Sequence, residues 1–476
     1  MCEILGQPLE VGSRRELFVD YYLIALMRGA ELRLQSPQKA EVSILFDQPW
    51  EGPFSGCVTV LHDGVRYRMY YRGWPEVTEP SSLGCTCCAL SDDGIQWMKP
   101  ELDIYEVAGT RRNNVVLFDD PSGTHNFAPF IDTRPGVPEE ERFKAVGGTA
   151  RYGGPCAYVS ADGFHWRKMR EEPILASEVF AFDSQNVAFW SESEGCYALY
   201  FRTWHPLPGA PAKHGVRWVS RSTSEDFLHW SAPVEMETRH GPEEALAPYE
   251  ELYTQQTHPY FRAPHIYIAL AARFQPGRRV LTEAQARAIG VHEKYYGDCS
   301  DAVLLTSRGG NRYERTFLES FIRPGLGYTH WVSRANYPAC GVVPAGSEAM
   351  SLYVHRDYAQ ATAHVRRFTL RTDGFASVHA PYAGGEVLTR PLLFAGSELE
   401  INYSTSAAGF VRVEIQEPDG RPIPGYGLAE AEEIIGDEIA RVVHWQSGVN
   451  IASLAGRPVR LRFVLKDADL YSLRFR

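Results

Sequence analysis

Ser91-Asp92-Asp93-Gly94-Ile95-Gln96-Trp97 returns as Ser160-Ala161-Asp162-Gly163-Phe164-His165-Trp166 and again as Ser224-Glu225-Asp226-Phe227-Leu228-His229-Trp230. Looser copies are Ser307-Arg308-Gly309-Gly310 and Thr372-Asp373-Gly374-Phe375. Measured at Asp93, Asp162, Asp226, Gly309 and Asp373, the steps are 69, 64, 83 and 64 residues. An Asp-Gly pair supplies the positive φ of a tight hairpin turn, and the Trp three positions later packs a strand edge. A strand-like run precedes each copy, at 85–90, 156–159, 216–220, 302–306 and 367–370. Further upstream lies a hairpin: 56–61 with 67–71, 127–131 with 143–146, 187–190 with 196–201, 258–262 with 265–269, and 341–344 with 350–354. Each unit reads as a four-stranded meander, and radial repetition of such sheets predicts a five-bladed β-propeller.

The expected organisation is all-β in three parts. Residues 1–44 form a leader packing on the propeller, 45–384 the catalytic propeller, and 385–476 a C-terminal β-sandwich with strands near 392–394, 399–403, 411–415 and 459–465. Residues 282–289, inside the insertion that lengthens the fourth step, read as a helix, and 429–440 as a loop or short helix.

Composition narrows the function. A prior of roughly 150 residues per domain would divide 476 residues in three, but the repeat absorbs most of them into one body. With 41 Gly, 31 Pro and 12% aromatics, the chain is turn-rich and neither disordered nor coiled-coil. A net charge of −11 argues against a nucleic-acid partner. No apolar run is long enough to span a membrane. Met1-Cys2-Glu3-Ile4 lacks the basic-then-apolar pattern of a signal peptide, so a cytoplasmic location is expected for the chain as given. The nine cysteines form no pair of metal clamps and read as reduced, buried thiols. No metal site and no cofactor is expected. A structural Ca²⁺ stays open, although no Asp-x-Asp-x-Asp-Gly loop is present. Composition assigns no oligomeric state.

Chemistry in a propeller concentrates where the innermost strands begin, because those segments converge on one mouth of the central channel. The lead-in segments here are 47–55, 125–127, 182–186, 250–258 and 331–337. They are rich in carboxylate, amide, imidazole and aromatic groups, the mixture that binds sugar hydroxyls and the C–H faces of sugar rings. Glu51, Asp183 and Glu251 come from different blades, where they could face one another as the two carboxyl groups that glycosidic cleavage needs. Candidate substrate-binding residues are Asp47, Trp50, His125, Asn126, Gln185, Asn186, Gln256, His258, Arg262, Arg334 and Asn336.

Acidic residues on successive inner strands, followed by a sandwich, resemble the glycoside hydrolase superfamily of families 32, 43, 62, 68 and 117. Leu17-Phe18-Val19-Asp20-Tyr21-Tyr22-Leu23-Ile24 is similar to a leader of family-32-like bacterial proteins. The Trp-Met-Asn-Asp-Pro-Asn, Arg-Asp-Pro and Glu-Cys motifs of family 32 are absent, so the resemblance implies fold and reaction class rather than fructan as substrate. It implies Glu51 (or Asp47) as base or nucleophile, Asp183 as supporting carboxylate and Glu251 as general acid. The leading expectation is a glycoside hydrolase acting on an oligosaccharide or glycoside. The alternatives are a glycoside phosphorylase, with Arg262, Arg334 and His258 as phosphate ligands, and a non-catalytic carbohydrate-binding propeller.

Overall fold

The computed structural model describes residues 7–75, 84–175, 182–209, 215–446, 448 and 450–476. They fall into two compact units. One comprises the described residues of 37–240 and 244–369; the other comprises those up to Ser36 with 241–243 and 370–476.

The larger unit is built from five sheets. The first is Gly56–His62, Tyr67–Gly73, Cys85–Ser91 and Val115–Leu117 in sequential antiparallel order. The second is Ala128–Ile131, Phe143–Gly147, Cys156–Ser160 and Arg167–Lys168; the third is Val187–Ser191, Cys196–His205, Val216–Ser224 and Val234–Glu235. The fifth pairs Tyr337–Pro338 and Val343–Ala345 with Ala349–Arg356, then His364–Arg371, and takes Gln38–Leu45 as its outer strand. These four form a β-propeller arrangement. The fourth sheet is enlarged to seven strands around Ala263–Gln275 and Cys299–Ser307. Between those two strands lies the helix Glu283–Ala288, started by Thr282 in a capping box with Gln285, close to the expected 282–289.

The repeated phrase proves to be a joint between sheets as well as a turn. Ser91 Oγ accepts from Gly94 N at 2.9 Å, while Asp93 Oδ1 accepts from Ile95 N at 2.7 Å and Gln96 N at 2.8 Å. Those backbone N–H groups hold the Asp93 carboxyl below its ordinary range. Ser160 with Asp162, and Ser224 with Asp226, repeat the same bonds. Phe227 stands where the others have Gly and takes φ +70°. The preceding sheet then seizes each turn. Tyr353 OH donates to Gly94 O at 2.6 Å, and Tyr70 OH to Gly163 O at 3.0 Å. Phe130 packs on Phe227 with centroids 5.5 Å apart, and Glu194 Oε2 accepts from Gly310 N at 3.0 Å.

Closure between the first and fifth sheets is made twice. Gln38–Leu45 pairs antiparallel with His364–Arg371 at the outside. At the inside, Val60 N donates to Cys340 O at 2.7 Å and Cys340 N to Val58 O at 2.9 Å. Gly341 follows at φ +107°, with space for no side chain: an added Cβ would lie 1.9 Å from Val60 O.

The expected leader is divided between the units: Gln38–Leu45 joins the larger unit's fifth sheet, and its earlier strands lie in the smaller unit. The smaller unit's strands Leu9–Gly12, Arg15–Leu17, Ile24–Arg28 and Glu31–Leu34 pair with strands after residue 375. The reason is burial: Phe18 and Leu23 share a core with Val387, Phe463 and Leu465. Arg15 is fixed there by Glu400 and Asp373. The long strands Leu399–Gln416 and Arg460–Phe475 pair along most of their length. Part of 429–440 is a strand, Asp437–Val442, rather than loop or helix. The eight described cysteines are free thiols; Cys2 lies outside the described residues. No described helix is long and apolar enough to cross a membrane.

Gly341→Ala is expected to cost about 3 kcal/mol or more in denaturant unfolding, because strain and a backbone clash coincide. Gly64→Ala, at φ +93° with nothing within 4 Å of the new Cβ, should cost only about 1 kcal/mol. Equal losses in the two variants would show that the inner closure is not what Gly341 serves.

Candidate functional site

The segments that lead into all five sheets of the larger unit contribute to one cavity of about 470 Å³. Phe54, His125, Asp183, Tyr253 and Arg334 represent the five lead-in segments there. Left-handed backbone recurs around it, at Cys57 (φ +53°), Asn126 (+61°), Gln256 (+47°) and Arg334 (+60°). Non-glycine residues held this way mark places where surrounding structure over-determines the chain, as at binding sites.

The amides Gln185 and Gln256 join the sheets beneath this cavity. Gln185 Nε2 donates to Thr59 Oγ1 at 2.6 Å and approaches Phe127 O at 3.5 Å. Gln256 Nε2 donates to Gln185 Oε1 at 2.7 Å and lies 3.1 Å from Pro338 O. A second cavity of about 410 Å³, lined by Thr59, Ala128, Val187, His258 and Val342, occupies the other end of the inner strands.

Of the expected site residues, Asp183, His125, Asn126, Gln185, Gln256 and Arg334 line the first cavity. The others do not, and each has a local reason. Glu51 is buried and takes bonds from Tyr71 OH (2.6 Å), Lys99 Nζ (2.6 Å) and Gln48 N (3.1 Å). Asp47 is exposed and shares Lys99 at 2.8 Å. Trp50 is buried, donating to Asn114 Oδ1 at 2.9 Å. Glu251 receives Arg217 Nη1 at 2.8 Å and its backbone N at 3.2 Å. Asn186 is spent on Phe182 O, and Asn336 on Ser300 O and His330 O. His258 donates from Nδ1 to Gln256 O (2.8 Å) and accepts at Nε2 from Val342 N (3.0 Å); it lines the second cavity. Arg262 lines neither of the two. The expected trio of carboxylates is therefore not assembled: Asp183 is the one carboxylate among the described residues lining the first cavity.

Arg72 and Arg202, which the inner-strand reading overlooked, line it as well. Both lie in the second strand of their sheet, in Arg72-Gly73-Trp74 and Arg202-Thr203-Trp204, within three residues of its end. In an antiparallel pair the second strand ends where the first begins, so its last residues reach the same mouth. The shared Arg-x-Trp spacing was the legible signal. Arg72 stacks on Trp74 at 4.8 Å, and Arg202 on Tyr253 at 4.8 Å.

Asp183 is open to the cavity, its side chain 61% exposed, with Arg202 Nη2 at 3.3 Å and His125 Nε2 at 3.8 Å. Burial in the protein's mass raises its pKa. The His125 ring and the charges of Arg202 and Arg334 outweigh that and hold it down to about 2. Asp183 is an anion at any working pH. Burial, reinforced by His364 and Arg72, drives His355 down to about 3, and burial drives His258 down to about 4. Both are neutral near pH 7. Among the described residues no group of three His, Cys, Asp or Glu side chains could hold a metal ion.

No protein-family model matches the chain, and no curated protein matches it. Solved structures do. A glycoside hydrolase matches with TM-score 0.47 at 10% identity, over 71% of this chain and 92% of that one. A family 43 arabinoxylan arabinofuranohydrolase from Bacillus subtilis matches with TM-score 0.42 at 12% identity, over 90% and 96%. A protein of family 130, mannoside phosphorylases that include β-1,2-mannosidic hydrolases, matches with TM-score 0.41 at 14% identity, over 75% and 96%.

The two neutral histidines make stability pH-dependent. Unfolded, each takes up a proton near pH 6.5; folded, His258 does so only near pH 4 and His355 near pH 3. The unfolded state thus binds more protons in between, and stability falls as pH drops from 6.5 toward 4. Each histidine should contribute about 1.4 kcal/mol per pH unit in that window. Urea unfolding of wild type and His258→Asn at pH 7 and 4.5 reads this. The variant should be less stable at pH 7 but lose about 2 kcal/mol less on acidification. Identical pH slopes would contradict a neutral, buried His258.

Proposed function

We propose that this protein is a glycosidase-type enzyme that cleaves a glycoside in the 470 Å³ cavity, with Asp183 as its ionised carboxylate. The observation that supports this most is the convergence of Asp183, His125 and aromatic walls on one concave site fed by all five lead-in segments. Glycosidic cleavage develops positive charge at the anomeric carbon, and a fixed anion there stabilises it or attacks it. A carboxyl held near pKa 2 suits that task and not proton donation. His125, 3.8 Å from Asp183, is the proposed proton donor.

On this reading the enlarged fourth sheet is the fifth blade, kin to the family-32-like propellers, and the smaller unit is a β-sandwich completed by the leader. Phosphorolysis is the second reading. It is favoured by Arg72, Arg202 and Arg334 in a cavity that shows one carboxylate among its described residues. Phosphate would then replace water as nucleophile, and turnover would require it.

An aryl-glycoside and oligosaccharide panel, run with and without phosphate, should reveal a substrate. On it Asp183→Asn should lower kcat about 10³-fold or more while the unfolding midpoint stays near wild type. Turnover within tenfold of wild type would remove Asp183 from the chemistry. Glu51→Gln should do the reverse, costing about 3 kcal/mol of stability by stripping Lys99 of its buried partner while the folded fraction keeps its kcat.

A further inference from the structure

The 83-residue step between the third and fourth turn phrases contains the segment 276–298, which joins Ala263–Gln275 to Cys299–Ser307. No step of the proposed chemistry involves it, yet its buried side reaches the cavity. Leu281, Ala286 and Tyr295 share one core with Phe54, Trp74 and Tyr358, and those last three line the cavity. Tyr295 makes the contact with the wall. Its ring centroid lies 5.4 Å from that of Phe54 and 5.7 Å from that of Tyr358, and the Phe54 and Tyr358 centroids are 5.5 Å apart. In so close-packed a triangle no ring turns without displacing the others. The same residue holds the fifth lead-in. Ser333 N donates to Tyr295 O at 2.8 Å, fixing the backbone one residue before Arg334, which sits at φ +60°. The Arg334 guanidinium lies 5.6 Å from the Tyr295 and Tyr358 centroids and 5.5 Å from that of Tyr253. A long, flexible side chain at a cavity acts only in a defined orientation, and stacking on rings supplies one.

We propose that the segment 276–298 is part of the glycoside site, with Tyr295 as a positioning residue that sets the Phe54–Tyr358 wall and the Arg334 side chain for substrate. This rests on the reading that the cavity is the glycoside site. Tyr295 does not itself line the cavity; it acts through Phe54, Tyr358 and Arg334, which do. The chemistry belongs to other lead-ins, Asp183 to the third and His125 to the second, and Arg202 Nη2 holds Asp183 at 3.3 Å. Removing the Tyr295 ring therefore weakens substrate binding more than turnover, because a misaligned wall loses ground state and transition state alike.

Steady-state kinetics of the full chain on the substrate found in the aryl-glycoside and oligosaccharide panel test this, with the unfolding midpoint measured for each variant. Tyr295→Leu should raise KM about tenfold or more while kcat stays within about threefold of wild type. Tyr295→Phe should keep the wild-type KM, because the contacts to Phe54, Tyr358 and Arg334 are made by the ring. Arg279→Gln removes a bond within the same segment, Arg279 Nε to Leu281 O at 2.8 Å, and should keep KM within about twofold. If Tyr295→Leu does not fold, Tyr295→Met takes its place, since a longer adaptable side chain fills more of the space. Unchanged KM in the folded variant overturns the proposal. So does an equal rise in Arg279→Gln, which would mean general loosening of the segment, and so does a fall in kcat at constant KM. A wild-type protein that turns over no member of the panel fails the glycosidase reading and takes the proposal with it. Turnover by wild type with the same KM in Tyr295→Leu fails the proposal alone.

Discussion

A bond between two glutamine amides ties together distant segments of the larger unit. Gln185 and Gln256 meet at 2.7 Å, and their bonds reach Thr59, Phe127 and Pro338 on three other segments. Both side chains are almost fully buried, where an amide deprived of its partner costs roughly 1–3 kcal/mol. The pair therefore fixes the sheets in phase. It also divides the channel, leaving the polar, arginine-lined cavity on one side and the largely apolar one on the other. Everything at the first cavity is built on that floor.

From the floor upward, antiparallel pairing decides which side chains meet. Inner strands begin at this mouth and bring amides, His125 and Asp183; second strands end at it and bring Arg72, Arg202 and His355. The electrostatics follow. Arginines from second strands and from the fifth lead-in hold a carboxylate from the third in its charged form, with His125 beside it. Burial in the same walls keeps His355 neutral. The result is one fixed negative charge among fixed positive ones, and a glycoside would meet a field already oriented.

Local features were legible in the sequence, and long-range partners were not. The Ser-x-Asp-Gly phrase announced the blades because its hydrogen bonds lie within four residues, but its grip on Tyr70 and Tyr353 joins distant strands. The five lead-in segments do converge, as the meander reading implied. Glu51 read as a base or nucleophile from its lead-in segment; its bond to Lys99, 48 residues away, was not visible there. Gln185 and Gln256 were recognisable as polar residues at the channel; that they bond each other rather than a sugar depends on a distance no spacing encodes. The leader's alternating strands carried no sign of which sheet they would join, since the choice is made by Phe18 and Leu23 finding the core around Phe463.

The central claim is that the arginine-lined cavity around Asp183 is where a glycoside is processed. A crystal structure of Asp183→Asn with a bound oligosaccharide tests it most directly. The account predicts a sugar ring in the 470 Å³ cavity, its anomeric carbon beside residue 183. Sugar bound instead in the cavity beyond Gln185 and Gln256, or on the smaller unit with the first cavity holding only solvent, would contradict it.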